Sequence, residues 1–150
     1  MNKIEFRILR ESLHLSQTEL SHLWNVNLRT IQSWEQGRQP IPHDRADKLI
    51  ELDKMVDAQA EQFERALINA RKEYGAPDEI VLIAYSQQSY DRGLKHFKLH
   101  NCLLARCIQR CKAIGINYKI VMFDRNAYTD WLDGQVDTSG KRSEWASLPT

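Results

Sequence analysis

SQTELSHLWNVNLRTIQSWEQGR, residues 16–38, decides how this chain is read. Ser16 followed by Glu19 is a capping box: the hydroxyl accepts an early helix amide, and the carboxylate reaches back to the amide of the cap. The box predicts a short helix over 17–24 with Leu20, Leu23 and Trp24 turned inward. Asn25 suits a tight turn because asparagine tolerates the left-handed conformation. Asn27 then caps a second helix, 28–36, and Gly37 stops it where a left-handed residue is wanted. Two short helices joined by a brief turn, with apolar Leu20, Trp24, Val26, Ile31 and Trp34, have helix-turn-helix spacing. In that arrangement the first helix crosses the DNA backbone and the second lies in the major groove.

The second helix has the required two sides. Ile31 and Trp34 form the inner one, whereas Leu28, Arg29, Thr30, Gln32, Ser33 and Gln36 remain outside, and none of these is acidic. Arginine pairs bidentately with guanine, glutamine with adenine, and an apolar tip meets the thymine methyl. Base reading is therefore expected from Leu28, Arg29, Thr30, Gln32 and Ser33. Backbone contacts are expected from Asn27, Gln36, Arg38 at the end of the reading helix, and Arg45 at the start of the next.

Outward from this stretch the pattern stays helical. A first helix is expected over 4–13, with Phe6, Leu9 and Leu13 at helical spacing. Pro40 and Pro42 forbid continuation after Gly37, and Pro42 suits the first position of a new helix. From there to Tyr74 no glycine or proline occurs. Leu49, Val56, Phe63 and Ala70 recur every seven residues, Leu52 and Ala66 fill the intermediate seam, and Gln59 breaks it. The stripe fits a helix packed on its own domain or a dimer-forming hairpin or coiled coil, and both readings stay open. Gly75-Ala76-Pro77 marks the expected boundary.

Beyond it the period changes. EIVLIAY (79–85) and YKIVMF (118–123) read as strands around a helix near 99–114 that Gly115 ends. AYTDWLD (127–133) adds an amphipathic turn, and a polar tail from Gly134 is expected to be loose. The fold class is thus mainly α. A five-helix helix-turn-helix domain (1–58) runs into a connecting helix and boundary (59–77), a small α/β dimerisation or sensing region (78–133) and the tail (134–150).

The register of Arg10, Gln17, Glu19, Leu20, Ile31, Glu35 and Gly37 resembles the DNA-binding domain of lambdoid phage repressors and Cro, the XRE-like family, over residues 3–58. The resemblance implies that Gln17 contacts the DNA backbone and an adjacent base. It further implies that Arg10 and Glu35 form a buried pair joining the first helix to the end of the third. Where the family's turn carries glycine this chain has Asn25. SWEQGRQPIPHDRADKLIELD (33–53) is also similar to a W-E-x-G-x-x-x-I/V-P pattern in a small group of phage and bacterial regulators that includes anti-CRISPR-associated repressors. That likeness, which fades after Tyr74, implies a dimerising α/β region and repression of the chain's own operon from inverted repeats. Read without the resemblance, capping boxes and apolar stripes belong to any helical bundle, and Arg10 and Glu35 are two solvated charges.

Net charge over the 150 residues is only +1, so phosphate neutralisation by one copy is weak. The first 50 residues hold seven Lys or Arg against six Asp or Glu. A homodimer on two half-sites is the energetic expectation. Charge is unevenly placed: no acid occurs from Arg92 to Phe123, while residues 51–77 carry four basic and six acidic side chains. The basic stretch, with Arg106, Arg110 and Lys112 on one helix, has three open readings. It is a solvated face, a counterweight to the acidic helix, or a second anion site for RNA, DNA backbone or a phosphorylated effector.

The N-terminus has charges throughout and no apolar run, so neither a signal peptide nor a membrane contact is expected, and a cytoplasmic setting follows. Cys102, Cys107 and Cys111 then read as free thiols, and their C-x4-C-x3-C spacing fits no common zinc pattern. No metal or cofactor is expected. Nucleotide-loop, G-x-S-x-G and acidic metal signatures are absent from the sequence, which argues against an enzyme. The expected function is a DNA-binding transcriptional regulator with double-stranded DNA as partner. The alternatives are an antitoxin-like protein-interaction module, or RNA binding through 92–123.

Overall fold

A computed structural model describes residues 1–75, 77 and 79–149. Helix α1 (Lys3–Ser12) begins one residue before the sequence expectation because Asn2 and Glu5 build a capping box of their own. Asn2 Oδ1 accepts the Ile4 and Glu5 amides at 2.9 Å each, and the Asn2 amide donates to Glu5 at 2.7 Å. Helix α2 (Gln17–Trp24) opens on the Ser16–Glu19 box and closes on Asn25, left-handed at φ 51°. Helix α3 (Leu28–Gln36) is capped by Asn27 and ended by Gly37 at φ 76°. A Cβ on Gly37 would meet Lys3 Cδ at 3.0 Å, so the close approach of α1 also favours glycine there.

Helix α4 (His43–Tyr74) runs for 32 residues without interruption, with Pro42 as its cap rather than its first residue. The last helix of the expected domain and the connecting helix are therefore one element. The expected boundary at 75–77 and the start of the α/β region at 78 fall in part on residues outside the described ones. Strand β1 (Ile80–Ala84), helix α5 (Phe97–Ile114) and strand β2 (Tyr118–Met122) follow. The strands pair in parallel, from Ile80 opposite Tyr118 to Ala84 opposite Met122, with α5 as the crossover. No helix among the described residues is long and apolar enough to cross a membrane.

The main core joins both halves of the chain. Phe6, Leu13, Leu15, Leu20, Ile31, Trp34, Leu49 and Val56 pack with Leu94, Leu99 and Cys102 from the α/β region. The seven-residue stripe of α4 packs inside the chain through Leu49 and Val56 in this core and through Phe63, which with the neighbouring Ala60 packs with Cys107 on α5 and Leu82 on β1. Up to Phe63 the stripe thus packs within its own chain, while Ala66 stays exposed. Of the three readings of the basic stretch, Arg106 and Arg110 follow the counterweight to the acidic helix rather than the second anion site. Arg106 donates to the Asp53 carboxylate at 2.5 Å, and Arg110 reaches Glu64 at 2.6 Å and Asp57 at 3.0 Å. The anions these two guanidiniums hold are the carboxylates of α4. Lys112 stays exposed outside that ladder. All three cysteines are buried and free, and burial pushes the Cys107 thiol up to about 11, so they fill space as small apolar groups.

The expected loose tail is a second correction. After helix α6 (Arg125–Leu132), helix α7 (Ser139–Ala146) packs against β1. Trp145 from α7 joins Tyr85, Phe123 and Tyr128 in an aromatic cluster. Arg142 is the tether: its guanidinium donates to Asp91 at 2.7 and 2.9 Å and to Asp137 at 2.9 Å, and lies 4.6 Å over the Phe123 ring. The hydrogen bonds from Arg142 hold Asp137 down at about 2, below its usual 3.8. A depressed carboxylate adds stability above its unfolded value, and that stability is lost as pH falls through the folded one. Acidification from about pH 4 to pH 2 is therefore expected to release α7. Near-ultraviolet circular dichroism of the Trp145 cluster checks this; a signal unchanged across that window would show that the pairs do not hold the helix.

Candidate nucleic-acid interface

Helix α3 is anchored by two side chains. Ile31 and Trp34 are buried, and Trp34 meets Phe6 edge-on at 6.0 Å. On the other side Arg29 and Gln36 are exposed, while Leu28, Thr30, Gln32 and Ser33 are half-buried. The structure thus gathers all five expected base-reading positions on one helix, with Arg29 the most outlying of them. Its backbone amide is taken by the Asn27 side chain at 2.9 Å, and its guanidinium has no ion pair among the described residues. Arg38 follows the helix stop and is likewise exposed; its amide donates to the Ser33 carbonyl at 2.9 Å.

The only acid on α3 is Glu35, and a carboxylate there would repel phosphate. It is neutralised from beneath. Arg10 Nε donates to Glu35 Oε1 at 2.6 Å and Nη2 to Oε2 at 3.0 Å, with side-chain exposures of 6% and 5%. The remaining Arg10 nitrogen donates to the Leu15 carbonyl at 2.6 Å. This fork fixes α1, the α1–α2 turn and the end of α3 together, and a bidentate arginine is suited to it.

Two expected backbone contacts are placed differently from the rest. Gln17 donates its side-chain amide to Glu35 Oε2 at 2.6 Å, so it extends the brace inward. Arg45 places its guanidinium carbon 5.7 Å from the Trp24 ring centroid and lies 3.4 Å from Asp44. Sequence reasoning missed both arrangements. The signal for Gln17 was its position at the opening of α2, one turn from the buried pair. For Arg45 it was the spacing along α4, which aims residues 45, 48, 52 and 55 at one neighbour.

A family model for Aca2/YdiL-like proteins matches residues 1–89. The chain belongs to the Aca2/YdiL-like family. This is a helix-turn-helix regulator family associated with anti-CRISPR, and its match reaches past α4 and β1, well beyond residue 58. A search of curated proteins found no match. Membership and geometry agree on the coarse statement: this Aca2/YdiL-like chain is a helix-turn-helix regulatory protein. Within it α3 holds the position expected of a reading helix, as the second of the two short helices and the one with an apolar anchor beneath a polar face.

Proposed function

We propose that this protein is a transcriptional repressor that acts by binding, without catalysis. It reads an inverted-repeat operator as a homodimer, with α3 of each copy in the major groove. One observation carries the reading: Arg10 cancels the single carboxylate of α3 from below, so its outer face presents Leu28, Arg29, Thr30, Gln32 and Ser33 with no uncompensated acid. The dimer follows from the near balance of charge in the first 50 residues, seven basic against six acidic, which leaves a single copy with little to gain from phosphates. Half-sites then lie about one helical turn, ~34 Å, apart.

Selection of bound DNA from a random pool at stated salt tests the reading. A palindrome is expected; absence of enrichment ends it, and a single unpaired half-site bound by monomer ends the dimer. On the selected operator, Arg29→Ala and Gln32→Ala are each expected to lose about 1–3 kcal/mol and to relax specificity at one position. Arg38→Ala is expected to weaken all sequences alike and to reduce the salt slope by about one unit. The pattern is read by titration at several salt concentrations. Equal loss on operator and random DNA for Arg29→Ala would remove it from base reading.

A further inference from the structure

Between the last turn of α2 and one face of α4 lies a cleft of about 390 Å³, within the usual size range of small-molecule sites. Its apolar lining comes from Leu23, Trp24, Leu52 and Met55, beside Arg45, Lys48 and Lys95 against one acid, Glu51. Elsewhere the chain matches the cations it draws inward. Arg10, Arg106, Arg110 and Arg142 each hold a carboxylate at 3.0 Å or less. At the cleft the match fails: Arg45 has only Asp44, itself 63% exposed, at 3.4 Å, and Lys48 and Lys95 have no ion pair among the described residues.

The three features fix the chemistry of an occupant. Arg45 is half-buried with its guanidinium carbon 5.7 Å from the Trp24 ring centroid, and a planar guanidinium fork suits a carboxylate or phosphate. Two lysines add charge without fixed geometry, which favours an anion over a neutral ligand. The apolar lining offers an indole and a thioether, groups that favour an aromatic body. We propose that this cleft binds a small amphipathic anion: an aromatic body bearing one carboxylate or phosphate. The site is distinct from the outer face of α3.

Calorimetric titration of the full chain without DNA tests it, so the outcome is independent of whether α3 reads an operator. The probes are 1-naphthoate for the carboxylate, adenosine 5′-monophosphate for the phosphate, and inorganic phosphate for charge alone. One aromatic probe is expected to bind with a Kd of ~1 mM or tighter, and inorganic phosphate at least about ten-fold more weakly. The double variant Lys48→Glu/Lys95→Glu, at two exposed positions, is expected to lower that affinity at least about ten-fold. In wild-type protein the same probe should shift the Trp24 indole N–H resonance and leave those of Trp34, Trp131 and Trp145 in place, a readout that needs no variant. The proposal is overturned if neither aromatic probe binds at ~10 mM. It is equally overturned if inorganic phosphate binds as well as they do, if the double variant binds unchanged, or if the shifts map away from Trp24. Loss of salt dependence in operator binding by the double variant, with no probe bound, would assign these cations to DNA instead.

Discussion

Replacing Arg10 with methionine is expected to lower stability by about 3–5 kcal/mol, the range for breaking one side of a buried ion pair. The cost comes less from the lost attraction than from what is left behind. Methionine fills much of the same volume, but the Glu35 carboxylate, 5% exposed, keeps only the Gln17 amide, and the Leu15 carbonyl loses its donor. The double variant Arg10→Met/Glu35→Met is expected to cost less than Arg10→Met alone, because no charge then remains stranded. Urea unfolding at unchanged slope reads both. Arg7–Glu11 serves as the control: it is exposed on both sides, and Arg7→Ala should hardly move the midpoint. A loss below about 1 kcal/mol for Arg10→Met would mean that the pair is solvated and that Glu35 stands uncompensated beside the reading face.

That pair also shows where sequence alone runs out. The turns and stops of the first three helices were legible because their chemistry is local: Ser16 with Glu19, Asn25, Asn27 and Gly37 each act within four residues. The two strands were legible because β-branched runs bounded by turn residues need no distant partner to be recognised. Helix α3 and the side chains on its outer side came from the same local pattern. What the sequence could not decide was long-range ionic matching. The acid-free stretch around α5 was visible as an asymmetry, but its meaning depended on carboxylates 46 to 53 residues away on α4. A polar helix face and a polar anion site carry the same composition, so only the facing element could separate them. Gln17 was read through its family role, whereas its side chain in this structure completes the brace.

The tail from Gly134 failed for the same reason, and Arg142 is the residue to test. Arg142→Met is expected to cost about 3 kcal/mol, less than the upper range for Arg10, and to free α7. The guanidinium side chain is only 4% exposed and sits over three rings, Phe123 at 4.6 Å, Tyr128 at 5.6 Å and Tyr85 at 5.9 Å. Its carboxylate partners are less enclosed, Asp91 at 33% and Asp137 at 42% exposure. They regain water when the cation leaves, which is why the loss is moderated. Methionine keeps the packing of the stem, so the difference measures the charge and its fork. Arg142→Lys should fall between the two, since ammonium retains the charge but cannot serve Asp91, Asp137 and the Tyr85 hydroxyl from one plane. Hydrogen exchange gives the local readout: amides of 139–146 should exchange faster in Arg142→Met while those of α3 keep their protection. Because α7 packs on β1, its release would also uncover part of a two-stranded sheet, and concentration-dependent association should rise with it. Unchanged exchange in 139–146 would show that the aromatic cluster around Trp145 holds the helix without its tether.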